Sequence, residues 1–320
     1  MPEVPPPAPR PPSTAGEAAS AAAARVRLAT AVGGTTIVLW STLAVLTTLS
    51  GSVPPFQLVA MAFALAASLA VGKWLVRGEP VLAHLRWPPA VWLVGISGLF
   101  GYHVLYFLAL RTAPAVEASL INYLWPLLIV VFSALLPGHR LRWWHLAGAL
   151  AGLAGTVILV GYGGGEGFGF RAQYLPGYAA ALAAAVTWAA YSILSRRHAH
   201  VPTDAVGGFC AATALLAAIS HVAFEETVWP AGGEWLAVVA MGLGPVGVAF
   251  FTWDYGVKHG DIRVLGVAAY ATPLLSTLLL IAAGWAQLTW ALAIACVLIV
   301  GGAILAARGM IGAGDGAARP

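Results

Sequence analysis

The sequence predicts an all-α membrane protein: ten transmembrane helices arranged as two inverted five-helix repeats around a central cavity. First, ten long apolar stretches follow one another with short connections between them. Second, the residues are 60% hydrophobic and only 9% charged, and the mean hydropathy is +0.85. Third, the second half of the chain echoes the first. A bilayer core about 30 Å thick needs roughly 20 apolar residues per helix. Lipid offers no partner for backbone polar groups, so each stretch must be helical.

The elements follow from the apolar stretches in order. We predict spans at 30–50, 56–76, 90–110, 115–136, 144–161, 178–197, 205–224, 235–257, 264–283 and 287–307. The first repeat is then 30–161 and the second 178–307. Residues 1–29 are Pro- and Ala-rich and predict a disordered tail, and 308–320 form a second short tail. Residues 162–177 are the connector, whose glycines lack the Gly-Lys-Ser/Thr ending of a phosphate loop.

The charges predict the orientation. Of the 16 Lys and Arg residues, all but Arg111 and Arg171 fall on the side of the two termini. The positive-inside rule therefore predicts that both termini are cytoplasmic. The net charge of +4 is explained by this distribution. We expect the lipid bilayer as a partner, and no nucleic acid.

Cofactor and metal chemistry is not expected. Cys210 and Cys296 lie inside spans without a Cys or His neighbour at ligand spacing, so we predict packing roles for both. The His residues near span ends, such as His84, lack acids or Cys at ligand spacing. A membrane enzyme would need a metal cluster or a nucleophile–base pair. An enzyme is therefore a distant alternative to a transport function.

The internal duplication has nearly constant spacing. Trp40 and Trp188 are 148 residues apart, and Tyr123-x-x-Pro126 is matched 147 residues later by Tyr270-x-x-Pro273. A Gly-Leu pair at 98–99 is echoed at 242–243, an offset of 144. An odd number of spans per repeat makes the second copy enter the membrane from the other side. Inverted repeats are typical of transporters, with the substrate site near the midplane between the repeats.

Unusual residues concentrate in the third and fourth spans. His103 and Tyr106 share a helix face, and Asn122, Tyr123 and Trp125 precede Pro126. A mid-span His is costly to bury and faces a cavity or a partner. His103 could bind a carboxylate, carry a proton or bond to a neighbouring helix. The aromatic residues predict a site for flat, apolar or cationic solutes.

Two prolines predict kinks in the fourth and ninth spans. Pro126 and Pro273 would free the carbonyls of Asn122 and Ala269, beside the aromatic residues. Tyr270 would then line the site, although the kinks could serve only to shape the bundle. Trp40 and Trp188 are either cavity or membrane-interface residues. Phe250 joins them as a candidate.

The acids indicate the transport mode. Glu117 and Asp254 lie near span ends, so no carboxylate is expected at the midplane. An ion-driven carrier needs an intramembrane ionisable group, and His103 is the candidate that remains. We therefore expect passive, gradient-driven transport, with proton coupling as the alternative.

The combined features resemble the drug/metabolite transporter superfamily in its ten-span, EamA-type form. The resemblance covers about residues 30–307 and rests on the first-span Trp, the stretch 109–118 (ALRTAPAVEA) and Tyr-x-Trp-Pro at 123–126. Within it, Tyr102-His103-x-x-Tyr106 followed by Asn-Tyr-Leu-Trp-Pro looks like the bacterial aromatic amino acid exporters. A channel would instead need a continuous polar face, which the spans lack.

The resemblance implies efflux of aromatic amino acids, and of other apolar ones, across the bacterial inner membrane. We expect the protein to be a monomer or a homodimer. Its implied pocket residues are His103, Tyr106, Tyr123 and Trp125, with Tyr270 from the second repeat. An exporter of cationic drugs or another metabolite is the alternative. Short members of the superfamily exchange protons through a first-span Glu, whereas this chain has Trp40-Ser41 there.

Overall fold

The structure is a computed structural model that describes residues 14–137, 141–162 and 169–315, with side chains for 17–137, 141–162 and 169–308. Ten helices within these ranges are long and apolar enough to cross a membrane, and no strand is found there. The prediction of an all-α, ten-span protein is confirmed. The helices are α1 (Glu17–Leu49), α2 (Pro55–Val76), α3 (Pro89–Thr112), α4 (Ala115–Leu135), α5 (Trp143–Tyr162), α6 (Ala172–Arg197), α7 (Ala205–Phe224), α8 (Glu234–His259), α9 (Ile262–Ala282) and α10 (Trp290–Arg308).

Helix ends extend beyond the predicted spans. The first helical segment is Thr14–Ser41, so residues 14–29 of the predicted disordered tail are helical. This segment is rich in Ala, the strongest helix former. The last segment, Trp290–Asp315, likewise runs into the predicted C-terminal tail. The remaining tail residues, 1–13 and 316–320, and residues 163–168 of the connector lie outside the described residues.

Four helices carry irregular turns at repeated positions. A π-helical turn occurs in α3 at Ser97–Gly101 and in α8 at Gly244–Val248, 147 residues later. The helix is interrupted in α4 at 123–124 and in α9 at 269–270, a spacing of 146. Distortions of this kind often mark functional sites. They also fix the alignment of the two copies at an offset near 147. The Gly-Leu match at an offset of 144 is therefore displaced by about one helical turn.

Helix packing follows the duplication. α2 packs on α7, and α5 packs on α10. α1 packs on α8 while α6 packs on α3, and α9 packs on α1 while α4 packs on α6. Exchanging the two copies maps this set of pairs onto itself. The ten helices therefore form one bundle built from two similar halves.

Small residues allow the closest helix contacts. A Cβ on Gly148 of α5 would lie 2.5 Å from the carbonyl oxygen of Gly302 in α10. A Cβ on Gly33 of α1 would lie 2.9 Å from the Cα of Gly256 in α8. Both pairs bring backbones into direct contact, as small residues do in membrane helices. The second contact joins the halves on the side of the termini.

Candidate functional site

A cavity of about 1050 Å³ lies between the two halves. Residues of α1, α2, α3, α4, α6, α8 and α9 line it, together with the end of α7 and the α1–α2 and α7–α8 connections. Both connections lie at the end of the bundle away from the termini, as does the last turn of α3. The mouth of the cavity is at this end; its residues are Val53, Pro54, Arg111, Glu225, Glu226 and Val228.

Five aromatic residues in mutual contact close the inner end of the cavity. We call them the aromatic floor: Trp40, Trp125, Trp188, Phe250 and Trp253. The contacting rings have centroids 5.1 to 6.3 Å apart, mostly edge to face. Such contacts add about 0.5–1.5 kcal/mol per pair beyond their buried area. The floor draws on α1, α4, α6 and α8, so it ties both halves together beneath the cavity.

Eight of the residues predicted from the sequence line this one cavity: Trp40, His103, Tyr106, Asn122, Tyr123, Trp125, Trp188 and Phe250. The two π turns position two of them. The Nδ1 of His103 lies 2.6 Å from the carbonyl oxygen of Leu99 in α3. The Nε1 of Trp40 donates to the carbonyl oxygen of Pro245 in α8 at 3.1 Å. Because a carbonyl only accepts, His103 must carry its proton on Nδ1, and Nε2 is an acceptor in the neutral ring.

Polar groups in the cavity wall are few and partly unpaired. The Asn122 side chain donates through Nδ2 to the Tyr102 hydroxyl at 3.0 Å. The hydroxyls of Tyr106 and Ser119 are hydrogen-bonded at 3.1 Å. Asn122 Oδ1 and the Thr272 hydroxyl are buried without a hydrogen-bond partner among the described residues. A buried polar atom left unpaired costs about 1–3 kcal/mol, so both atoms favour a polar ligand group.

Tyr270 lies outside this cavity. Its side chain is fully buried, and its hydroxyl accepts a hydrogen bond from the backbone N–H of Leu127 at 3.2 Å. The ring packs on Gly152 of α5, where a Cβ would lie 2.5 Å from it. In this structure Tyr270 therefore joins helices, while Thr272 reaches the cavity from the same turn.

The two prolines follow the breaks in α4 and α9. Pro126 and Pro273 come two or three residues after the interruptions at 123–124 and 269–270. The carbonyl of Ala269, expected to be free, accepts instead from the N–H of Thr272 at 3.0 Å. A tighter turn takes up the acceptor that the proline leaves open.

A buried ion pair lies beyond the floor, near the end of α8. Lys258 and Asp254 are 2.8 Å apart, with side chains 3% and 1% exposed. Lys258 falls just outside the predicted span 235–257, but α8 continues to His259 and includes it. The Lys258 Nζ also donates to the Val201 carbonyl at 2.9 Å, and Thr203 donates to Asp254 at 2.7 Å. These bonds tie α8 to the α6–α7 connection.

One cluster of ligand-type side chains lies outside the cavity. Single ligand atoms of Glu79, His84 and Asp204 are within 4.8 Å of one another. His84 Nε2 is 2.9 Å from Glu79, so His84 does have an acidic neighbour, contrary to expectation. Lys73 already pairs with Asp204. Glu79 and His84 lie in the α2–α3 connection and Asp204 in the α6–α7 connection. These connections meet only in the folded protein, so sequence spacing could not show the cluster.

Phe63 and Trp253 are among the aromatic residues at the site that sequence reasoning missed. Phe63 of α2 is fully buried and contacts the rings of His103 and Phe250 at 5.4 and 5.3 Å. Trp253 lies 147 residues after Tyr106, so the repeat register, once set correctly, would have identified it. Phe63 carries no such signal, since nothing in the sequence distinguishes it from the other apolar residues of an apolar helix.

The fold and the cavity define a membrane carrier for small molecules, with an aromatic cavity between two similar halves. The chain belongs to the EamA-like transporter family, whose model matches residues 30–161 and 175–308. The two matches correspond closely to the predicted repeats.

Similar proteins include three exporters. The aromatic amino acid exporter YddG of Ancylobacter novellus is 60% identical over 87% of this chain and 96% of its own length. The exporter of the same name from Salmonella typhimurium is 29% identical over 78% of this chain and 87% of its own length. A probable terminal-alkyne amino-acid exporter of Streptantibioticus cattleyicolor is 24% identical over 58% of this chain and 61% of its own. A solved crystal structure is 58% identical, with a TM-score of 0.85 over 88% of this chain and 97% of its own.

Proposed function

We propose that this protein exports aromatic and other apolar amino acids across a bacterial inner membrane by alternating access. The observation that carries the proposal is the aromatic cavity, open at one end and closed at the other by the aromatic floor. The 60% identity to an aromatic amino acid exporter supports it. No catalytic step is part of the proposal.

The cavity wall suits an amino acid with a flat side chain. The substrate ring would stack among the aromatic floor and Phe63, where edge and face contacts are available. The ammonium group needs acceptors, which Asn122 Oδ1 and His103 Nε2 provide. The Tyr102 oxygen accepts from Asn122, so its hydrogen is free to donate to the carboxylate, with Thr272 as a second donor.

The orientation of the cavity follows from the inverted-repeat prediction. We infer that the halves are related by a two-fold axis in the membrane plane and that both termini are cytoplasmic. The mouth then faces away from the cytoplasm. The buried Asp254–Lys258 pair lies below the floor and each charge neutralises the other, which supports efflux driven by the substrate gradient. One chain encloses the cavity, so a monomer or a homodimer would function alike.

Counterflow in proteoliposomes tests the function. Vesicles are loaded with unlabelled tryptophan, labelled tryptophan is added outside, and no ion gradient is imposed. We expect transient accumulation of label that phenylalanine competes away and that lysine or glucose does not. Absence of accumulation by folded, reconstituted protein would overturn the proposal. Accumulation that requires a proton gradient would overturn transport driven by the substrate gradient alone.

A cationic solute is the second candidate. Aromatic faces attract cations, and the exposed Glu226 lies at the mouth of the cavity. Competition of tryptophan counterflow by a flat organic dication would favour this broader specificity, whereas no competition would restrict the protein to amino acids.

A further inference from the structure

The two ends of the bundle contain equivalent segments. With the register that the π turns fix, Arg111 at the end of α3 corresponds to Lys258 at the end of α8, 147 residues later. The dipeptide Val53-Pro54 in the α1–α2 connection recurs as Val201-Pro202 in the α6–α7 connection, 148 residues later. Each end therefore pairs one basic side chain with one Val-Pro connection.

At the closed end this pair is in contact. The Lys258 ammonium donates to the carbonyl oxygen of Val201 at 2.9 Å, and Lys258 is only 7% exposed. The bond crosses from the last turn of α8 to the α6–α7 connection. A second bond, from Thr203 to Asp254, reinforces it.

At the mouth the equivalent pair is apart. Arg111 is exposed and lines the cavity together with Val53 and Pro54. Throughout the residues that the structure describes, the Arg111 side chain makes no hydrogen bond or ion pair. A guanidinium group carries five donors and is always charged. Because Arg111 is exposed at the cavity entrance, these donors face solvent.

We propose that Arg111 closes the mouth when the cavity opens to the other end, by donating to the carbonyl of Val53 as Lys258 now does to that of Val201. The proposal rests on the alternating access proposed above. Breaking the Lys258 contact and forming the Arg111 contact would then be the two halves of one transition. Arg111 acts here as a positioning residue, since substrate contact is not required of it.

A thiol probe in the cavity measures the closure. Ala44 is exposed in the cavity wall one turn from Trp40. In a chain with Cys210→Ala and Cys296→Ala, Ala44→Cys reports mouth opening through its reaction rate with a membrane-impermeant maleimide. The neutral pair Asp254→Asn with Lys258→Met removes the Lys258 contact at the closed end. The cavity should then open to that end more of the time, so the mouth closes and this labelling slows. Adding Arg111→Gln should restore it, shifting the open-to-closed ratio about tenfold, as expected for one hydrogen bond to a charged group.

The control is the matching substitution at Arg171. This residue is exposed and is the other Lys or Arg on the mouth side. Arg171→Gln should leave labelling slow, and Arg111→Lys should keep the mouth closed because a Lys performs the equivalent contact at the other end. Equal labelling for the Arg111→Gln and Arg171→Gln chains would overturn the proposal. An equal effect of Glu226→Gln and Arg111→Gln would overturn Val53 as the partner, in favour of an ion pair with Glu226.

The transport arm separates this proposal from the proposed function. If the parent chain shows tryptophan counterflow and Arg111→Gln slows it about tenfold while Arg171→Gln does not, the closure role is supported. If the parent shows none, the substrate assignment fails, and the labelling result still decides whether Arg111 closes the mouth.

Discussion

The two ends of the cavity are made from the same parts and differ in what those parts bond to. At the closed end, Lys258 and Thr203 join α8 to the α6–α7 connection. At the mouth, Arg111 and the α1–α2 connection both line the cavity, and no hydrogen bond joins them among the described residues. A few polar contacts, rather than a different fold, distinguish the closed end from the open one.

The same contrast appears at two equivalent helix starts. Asp261 caps α9 and accepts from the backbone N–H groups of Arg263 and Val264 at 3.0 and 3.4 Å. Pro114 holds the corresponding position before α4, 147 residues earlier, and offers no side-chain cap. The closed end is therefore the better satisfied of the two, which agrees with its role as the anchored end of this conformation.

Substitutions in the cavity itself should have the largest effect. His103→Ala or Trp125→Ala should lower tryptophan counterflow by about tenfold, because each removes a cavity group that we propose contacts the substrate. Initial rates in proteoliposomes of matched protein content measure this. Trp229→Ala is the control, since Trp229 is 69% exposed on the outer surface. Normal rates for both cavity variants would exclude this cavity as the site.

Removing one partner of the closed-end ion pair should have the next largest effect. Lys258→Met leaves Asp254 buried and unpaired, which costs about 3–5 kcal/mol of stability in comparable pairs. Thermal unfolding in detergent should show a marked loss for this variant. The double variant with Asp254→Asn should recover most of it, since neither residue is then charged. A double variant no more stable than the single one would contradict the pairing.

Much of this architecture was predictable from the sequence, and the reasons can be given residue by residue. Long apolar runs predicted the helices because lipid imposes their length and their hydrogen bonding. Rare residues in apolar helices, such as His103 and Asn122, predicted the cavity because burying them without purpose is costly. Tyr270 carried the same signal and yet packs between helices, since sequence cannot give the rotation of a kinked helix.

The closed end was not predictable in the same way. Lys258 looked like a connection residue because its buried partners, the carbonyl of Val201 and the carboxylate of Asp254, become visible only when α8 is seen to run to His259. The cluster of Glu79, His84 and Asp204 was hidden for the same reason. Contacts between separate connections leave no periodic trace in a single sequence.

Close packing between α1 and α8 provides a smaller test at the closed end. Gly33→Ala should push a Cβ against the Cα of Gly256, costing about 1–3 kcal/mol for an overpacked contact. Gly34→Ala is a control one residue away, where a Cβ would meet nothing within 4 Å. The measurement is the unfolding temperature of each variant beside the parent. Equal temperatures for the two would contradict the direct backbone contact.

The helix cap at Asp261 should give the smallest effect. Asp261→Ala should cost about 0.5–2 kcal/mol. Burial raises the pKa of Asp261, but the Arg263 guanidinium and the two backbone N–H groups outweigh it and lower the pKa below its ordinary value. A lowered pKa stabilises the fold above the unfolded value of about 3.9 and loses that contribution as the pH falls through the folded value.

The pH dependence of that variant is the check. The stability difference between parent and Asp261→Ala should be constant near neutrality and shrink on acidification below about pH 4. Pro114→Ala, at the equivalent start of α4, has no cap to lose and should show no such trend. A difference that grows on acidification would contradict the assigned role of Asp261.

Cysteine labelling in cells shows whether the substrate occupies the cavity from its open end. Ala44→Cys, with the native cysteines replaced by Ala, is labelled by an impermeant maleimide added outside intact cells. We expect rapid labelling from outside that saturating tryptophan slows and lysine does not. Labelling that occurs only from the cytoplasmic side, or that tryptophan leaves unchanged, would contradict the outward mouth or the assigned substrate site.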